Sequence, residues 1–175
     1  MLIEPLPKTL DVRKAAARGV SIQGALKPHD LQRFGELLAS GEGSIQAELV
    51  CSRDEENRYL VKVGLDAEVA VTCQRCLEAM PAKVASENTL AVVWTDEEAR
   101  HLPKHLDAVI CDEACDLWEL VEDELILALP AFSNHSNEDC NKILVDLSQP
   151  ATPEVAKSDK PNPFDVLAQL KPGKE

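Results

Sequence analysis

Apolar side chains recur at every second position through much of residues 45–94, and this alternation constrains the fold more than any other feature of the chain. A two-residue period places successive side chains on opposite faces of a β-strand, so that each strand buries one face. Alternating segments cover 45–49, 59–63 and 65–71, and a further extended stretch covers 83–94. Short links between them favour antiparallel pairing. The pattern predicts at least four strands in a curved sheet or a partial barrel.

Helical patterns flank these strands and complete an α+β fold. A short helix is expected over 11–18, and a second over about 29–40, where apolar residues recur at helical spacing. The clearest helix follows Asp116, which can cap it together with Glu119, and it ends at Pro130. We therefore expect helices before and after the strands along the chain.

The size of the chain fits one core and a tail. Its 175 residues are 45% hydrophobic but only 3% aromatic, so aliphatic side chains must fill the core. We expect a single α+β domain over 1–145, then a flexible linker and a short amphipathic helix over 146–175. That helix would place Phe164, Leu167 and Leu170 on one side. It would pack on its own domain or lie in a partner's groove, and both alternatives stay open.

The net charge of −13 narrows the classes of partner. A protein that binds nucleic acid mainly through phosphate contacts needs a cationic face. The acidic charge of this chain therefore favours a basic protein as partner over nucleic acid bound in that way. The sequence has no apolar stretch long enough to span a bilayer and no apolar signal core at its start. We therefore expect a cytoplasmic protein without a membrane partner.

The sequence carries no recognisable catalytic motif. It lacks the nucleophile elbow, the zinc-protease helix and both glycine-rich phosphate loops. The prediction is a protein that is not an enzyme and has no small-molecule substrate.

The sharpest local signal is Cys73-Gln74-Arg75-Cys76, directly after an alternating strand. Two thiolates at this spacing can reach one metal ion from a single turn, and Zn²⁺ requires four ligands. His135 and Cys140, in the polar segment after the Pro130 helix stop, supply a second pair. The spacing therefore predicts a structural zinc site that would stabilise the fold.

Two other interpretations of the same residues remain open. Cys73 and Cys76 can be small apolar residues at a strand end, with His135 on the surface. They can also be a thiol redox pair, although such a pair normally opens a helix within a βαβ unit.

Three further cysteines need a placement. Cys111 and Cys115 are spaced to share a helix face and are alternative ligands, but buried or unpaired thiols before the helix are the favoured interpretation. Cys51 ends an alternating strand and is expected in the core.

Charged residues suggest two binding surfaces. Glu122, Asp123 and Glu124 form an acidic cluster in the long helix. They are either a solvated face, with Glu124 partly buried, or a docking surface for a basic partner. Arg75, with nearby Lys62 and Lys83, is a candidate contact to RNA phosphates.

Several of these motifs together resemble the bacterial YceD family. The chain has CQRC at 73–76, VEDELILALP at 121–130, the pair His135 and Cys140, and KPNPFDVLAQLK at 160–171, in that order. Cys111 and Cys115 are not part of the family pattern. The N-terminal stretch with QG at 23–24 also looks similar, so the resemblance extends over nearly the whole chain.

The resemblance implies a function but no mechanism. It implies a bacterial cytoplasmic protein needed for synthesis, processing or accumulation of large-subunit (23S) ribosomal RNA. Expected partners are the rRNA precursor or its proteins and processing enzymes. We expect a non-catalytic adaptor, and direct RNA binding or a CxxC thiol oxidoreductase are the alternatives. The zinc prediction rests on the spacing of the ligands alone.

Overall fold

The computed structural model describes residues 4–136 and residue 140. The elements follow one another in this order: β1 Thr9–Leu10, α1 Val12–Arg18, β2 Ser21–Leu26, a 3₁₀ turn Pro28–Asp30, α2 Gln32–Glu36, β3 Gly43–Arg53, β4 Tyr59–Thr72, β5 Ala79–Val93, α3 Asp96–Arg100, β6 Asp107–Ile110, β7 Cys115–Asp116 and α4 Leu117–Ala128. Among the described residues, no helix combines the length and the apolar character needed to cross a lipid bilayer.

Five strands form one sheet in the order β2-β3-β4-β5-β6. Every neighbouring pair is antiparallel except β5 and β6. The β4–β5 hairpin is the longest pairing, from Tyr59 opposite Val92 to Thr72 opposite Ala79. Within the described residues the sheet stays open, and β1 pairs with β7 in a separate two-stranded ribbon. The predicted α+β fold with a mainly antiparallel sheet is confirmed.

The core lies between one face of the sheet and the helices. Helix α1 packs on β3 and β4, and α4 packs on β5. Aliphatic side chains make up most of this core, because the chain has few aromatic residues. Full burial of one leucine or isoleucine contributes about 1.5–3 kcal/mol to stability. The largest fully buried side chains include Phe34, Ile45, Leu49, Leu117 and Leu125. The inward positions of β3 and β4 are those that the alternation predicts.

Helices α1 and α4 have the ends that the sequence predicts. Asp11 accepts the backbone N–H of Lys14 at the start of α1, and Gly19 ends it at φ 64°. That left-handed conformation favours glycine. Asp116 caps α4 by accepting from the backbone N–H groups of Trp118 and Glu119 at 2.9 and 3.1 Å. Helix α4 ends at Ala128, before Pro130.

The helix predicted over 29–40 is shorter and broken. Leu31 is extended (φ −112°, ψ 100°) and separates the 3₁₀ turn from α2. The Asp30 carboxylate accepts the backbone N–H of Lys27 at 2.8 Å and closes the turn. A Cβ at Gly35 would lie only 3.0 Å from the carbonyl oxygen of Pro28, so glycine permits α2 to pack on that turn. Local turn chemistry and this close packing override the helical periodicity.

The predicted tail lies outside the described residues. This holds for the domain boundary at 145, for the linker, and for the amphipathic segment that carries Phe164, Leu167 and Leu170.

Candidate metal centre

The turn between β4 and β5 positions the first two cysteines. The backbone N–H of Cys73 donates to Glu78 at 2.9 Å, and the N–H of Leu77 donates to Cys73 at 2.8 Å. Leu77 has φ 63°, a left-handed conformation that tightens the turn. Cys73 and Cys76 are both buried as a result.

The loop after α4 lies against this turn. The backbone N–H of Gln74 donates to the carbonyl of Ser133 at 2.8 Å, and its side-chain amide donates to the carbonyl of Ala131 at 3.3 Å. These two bonds join segments 57 or more positions apart in the sequence. They place His135 beside Cys76, with Nδ1 3.4 Å from Sγ.

Four potential ligands come together here. One donor atom from each of Cys73, Cys76, His135 and Cys140 lies within 4.8 Å of the others. The two cysteines of the turn are buried, and His135 and Cys140 are half-buried. The structure therefore brings together the four residues that the spacing singled out.

The donor set fits a tetrahedral zinc ion. With Zn–S and Zn–N bonds of about 2.3 and 2.0 Å, a sulfur and a nitrogen ligand lie about 3.5 Å apart. The 3.4 Å between Cys76 and His135 matches this separation. Sulfur ligands would lie about 3.8 Å apart, so side-chain shifts of about 1 Å close the remaining gap. Three thiolates and one imidazole are donors that zinc prefers over hard cations.

The electrostatics of the turn favour one thiolate even without a cation. Burial opposes ionisation of Cys73, but the backbone N–H groups of Cys76, His135 and Arg75 outweigh it and lower the pKa of Cys73 to about 5. The backbone N–H of Glu78 favours the Cys76 thiolate, yet burial and the charge of Cys73 prevail and raise the pKa of Cys76. Neighbouring thiolates therefore repel one another, and a divalent cation would relieve that repulsion.

The other three cysteines lie outside the cluster. Cys111 and Cys115 form a disulfide and are both buried, so neither the ligand nor the unpaired-thiol interpretation describes this structure. The connecting turn holds the two sulfurs together before α4 begins, which the sequence spacing alone does not indicate. Cys51 is 1% exposed in the core, where burial raises its pKa.

The acidic cluster on α4 is largely used inside the fold. The carboxylate of Glu122 is buried and accepts the backbone N–H of Phe34 at 3.0 Å and the guanidinium of Arg33 at 2.9 Å. Asp123 is half exposed and pairs with the same Arg33 at 2.8 Å. This placement gives no support to Glu122 as a docking residue. Glu124 is buried as well, and it contacts Asn88 and Ser86 at 3.4 Å.

The candidate RNA contacts also have partners. Lys62 pairs with Glu87 and Lys83 pairs with Glu68, both across the β4–β5 hairpin. Arg75 is partly buried in the turn, and none of the described carboxylates pairs with it. The three cations therefore do not add up to an unpaired basic patch.

Sequence reasoning missed the residues that support the cluster. Gln74 and Ser133 join the two loops through hydrogen bonds, which no motif indicates because their backbone groups make the decisive contact. Leu77 takes a conformation for which glycine or asparagine is the usual signal. No local pattern indicates the role of Arg33, because its partner Glu122 lies 89 positions away.

The fold and the site define a small α+β protein with a Cys₃His cluster that could hold a metal between a β-hairpin and the loop after a helix. A family model described as "Large ribosomal RNA subunit accumulation protein YceD" matches residues 61–171. A Haemophilus influenzae protein named "Large ribosomal RNA subunit accumulation protein YceD" is 34% identical over 169 residues, which are 95% of this chain and 96% of the relative. The chain belongs to the YceD family, as its motifs indicate. No solved structure matches it.

Proposed function

We propose that this protein is a non-catalytic factor for the accumulation of large-subunit ribosomal RNA, and that a zinc ion at the Cys₃His cluster stabilises its fold. The observation that carries the proposal is family membership over nearly the whole chain, because the family name and that of the relative both specify large-subunit rRNA accumulation. Such a role places the protein in the cytoplasm, where bacterial ribosomes assemble.

The donor set supports a structural metal role. Four protein ligands complete a tetrahedron and leave no position for water or substrate, whereas catalytic zinc keeps one position open. The cluster connects the β4–β5 turn to the segment after α4. Zinc bound there supplies binding energy to the folded state and none of the reaction chemistry.

The charge of the chain supports an adaptor that meets basic proteins. A net charge of −13 attracts ribosomal proteins, which must be cationic to bind rRNA, and accelerates their association. The paired state of Lys62 and Lys83 further disfavours binding that depends on phosphate contacts.

Complementation tests the cellular role and the metal together. In a strain that lacks this protein, we expect the ratio of 23S to 16S rRNA to fall, and the wild-type chain to restore it. Cys73→Ala should restore it less well than the matched variant Cys51→Ala, which removes a buried thiol outside the cluster. An unchanged rRNA ratio in the deletion strain would contradict the cellular role. Equal rescue by both variants would contradict the metal's importance.

Affinity purification tests the binding mode. The tagged full chain should co-purify large-subunit precursors or their proteins, and nuclease treatment should leave the protein partner attached. If nuclease releases everything and the affinity for purified rRNA falls steeply with salt, the protein contacts RNA directly. That alternative has one observation in its favour, since Arg75 lies in the turn without a carboxylate partner among the described residues. Loss of its rRNA affinity in Arg75→Ala would then identify the contact.

A further inference from the structure

The disulfide between Cys111 and Cys115 is not used by the proposed function. It joins the residue after β6 to the first residue of β7, and the two Cα atoms are 5.2 Å apart. The three residues between the cysteines are exposed, whereas both cysteines are buried. The bond thus closes a short surface turn against the core.

Contacts other than the disulfide hold both ends of this turn. The backbone N–H of Cys111 donates to Val93 at 3.1 Å, and the Arg13 guanidinium donates to the carbonyls of Cys111 and Asp112 at 3.0 and 2.8 Å. At the other end, Cys115 pairs with Leu10 in the β1–β7 ribbon. The two sulfurs therefore remain neighbours when the bond between them is absent.

The fold can persist without this bond. The bonded residues are only 4 positions apart, so the cross-link restricts the unfolded chain less than one that closes a longer loop. A cross-link that the fold does not require, between sulfurs that the fold keeps close, can open and close within the native state.

We propose that Cys111 and Cys115 are a reversible thiol–disulfide site that reacts with low-molecular-weight thiols and disulfides such as glutathione. Cys111 is 8% exposed and Cys115 is 3% exposed, so a small disulfide meets Cys111 first. The Cys111 thiolate attacks one sulfur of the reagent, forms a mixed disulfide and releases one thiol. The Cys115 thiolate then attacks Cys111 Sγ and releases the second. The chain loses two electrons and two protons, and the reagent gains both as two thiols.

The same contacts supply an optical readout. The Arg13 guanidinium lies 3.4 Å from the centre of the Trp94 ring, and it also binds the carbonyl of Cys111. We expect the two thiols to move apart within the held turn when the disulfide opens, and to shift the Cys111 carbonyl and the guanidinium on the ring slightly. We expect the tryptophan emission of the chain, which Trp94 shares with Trp118, to change with the redox state while the secondary structure is retained.

Redox titration of the full chain tests the proposal. The protein is equilibrated in glutathione buffers from fully reduced to fully oxidised, quenched with acid, alkylated and digested. We expect the peptide with Cys111 and Cys115 to lose two alkyl groups reversibly, while circular dichroism stays constant. Readout at this peptide is independent of metal at Cys73, so failure of the zinc proposal does not affect the result.

A matched variant tests the order of the two steps. Cys115→Ala removes the resolving thiol, so a mixed disulfide with glutathione should accumulate at Cys111, and the double variant Cys111→Ala/Cys115→Ala should show no redox-dependent fluorescence. Two results overturn the proposal. One is reduction of the bond only under conditions that unfold the chain, and the other is a pair that stays in the thiol form in fully oxidised buffer.

Discussion

The two cysteine pairs of this chain begin directly after a strand, yet the fold treats them differently. Cys73 and Cys76 follow β4, and they face His135 and Cys140 from the loop after α4. Cys111 and Cys115 follow β6 and bond to each other. The first pair has partners from a distant segment and backbone N–H groups that favour a thiolate. Among the described residues, no group of three or more potential metal ligands includes the second pair. The surrounding donors, more than the spacing within a pair, therefore decide the chemistry of these cysteines.

The span of each cross-link sets its expected contribution to stability. Cys76 and His135 are 59 positions apart, and the two disulfide cysteines are 4 apart. Loop-closure entropy grows with the logarithm of this separation. Through this entropy alone, a metal bridge should therefore stabilise the fold by about 2 kcal/mol more than the disulfide does.

Removal of a cluster ligand should destabilise the protein most. Cys73→Ala should abolish stoichiometric zinc and lower the melting temperature by roughly 10 °C, because the binding energy of a structural metal is part of the folding energy. Metal content by mass spectrometry and thermal unfolding measure the two effects. Cys51→Ala is the matched control and should retain zinc. If Cys73→Ala retained zinc, or if its melting temperature equalled that of Cys51→Ala, the four residues of the cluster would not form a structural zinc site.

Reduction of the disulfide should have a smaller effect. Opening the bond should lower the free energy of unfolding by about 2 kcal/mol, the entropic contribution of so short a loop. Urea titration with and without a non-chelating reductant measures it, and metal content should stay constant. The double variant Cys111→Ala/Cys115→Ala should not respond to reductant. A loss as large as that caused by zinc removal would contradict the ranking of the two cross-links.

The hydrogen bonds that join the two loops should contribute less again. Gln74→Ala removes the side-chain bond to Ala131 and keeps the backbone bond to Ser133. We expect about 1 kcal/mol less stability and roughly tenfold weaker zinc binding, as for other residues that orient ligands. Competition with a chromophoric chelator measures the affinity. Gln46→Ala, on an exposed position of β3, is the control and should leave the affinity unchanged. An equal loss of zinc affinity in both variants would mean that Gln74 does not position the zinc ligands.

The sequence predicts the sheet and the cluster for different reasons. Alternation between 45 and 94 reflects burial of one strand face, which is a local property and can therefore be predicted from the sequence. The cluster can be predicted because few residue types ligate zinc and their spacings are limited; its members are Cys73, Cys76, His135 and Cys140. Both predictions depend on chemistry that each segment carries by itself.

The features that the sequence does not predict depend on contacts between distant segments. Glu122 belongs to an acidic run and is expected in solvent, but Arg33 and the Phe34 N–H, 88 or 89 positions away, make its burial favourable. The expected helix over 29–40 breaks at Leu31, where that side chain enters the core. Bonding of Cys111 to Cys115 depends in the same way on Val93, Arg13 and Leu10.

The smallest expected effect concerns backbone conformation in the two turns. Leu77 has φ 63° and is 74% exposed, so its side chain costs about 1 kcal/mol of strain and little burial is lost on its removal. Leu77→Gly relieves that strain but adds freedom to the unfolded chain, and the two effects should cancel to within about 0.5 kcal/mol.

Ala114→Gly is the matched change in the disulfide turn. No positive φ is found at Ala114, so only the entropy cost applies and a loss of about 0.5–1 kcal/mol is expected. Urea unfolding of both variants measures the difference, and equal losses would mean that the β4–β5 turn stores no strain at Leu77.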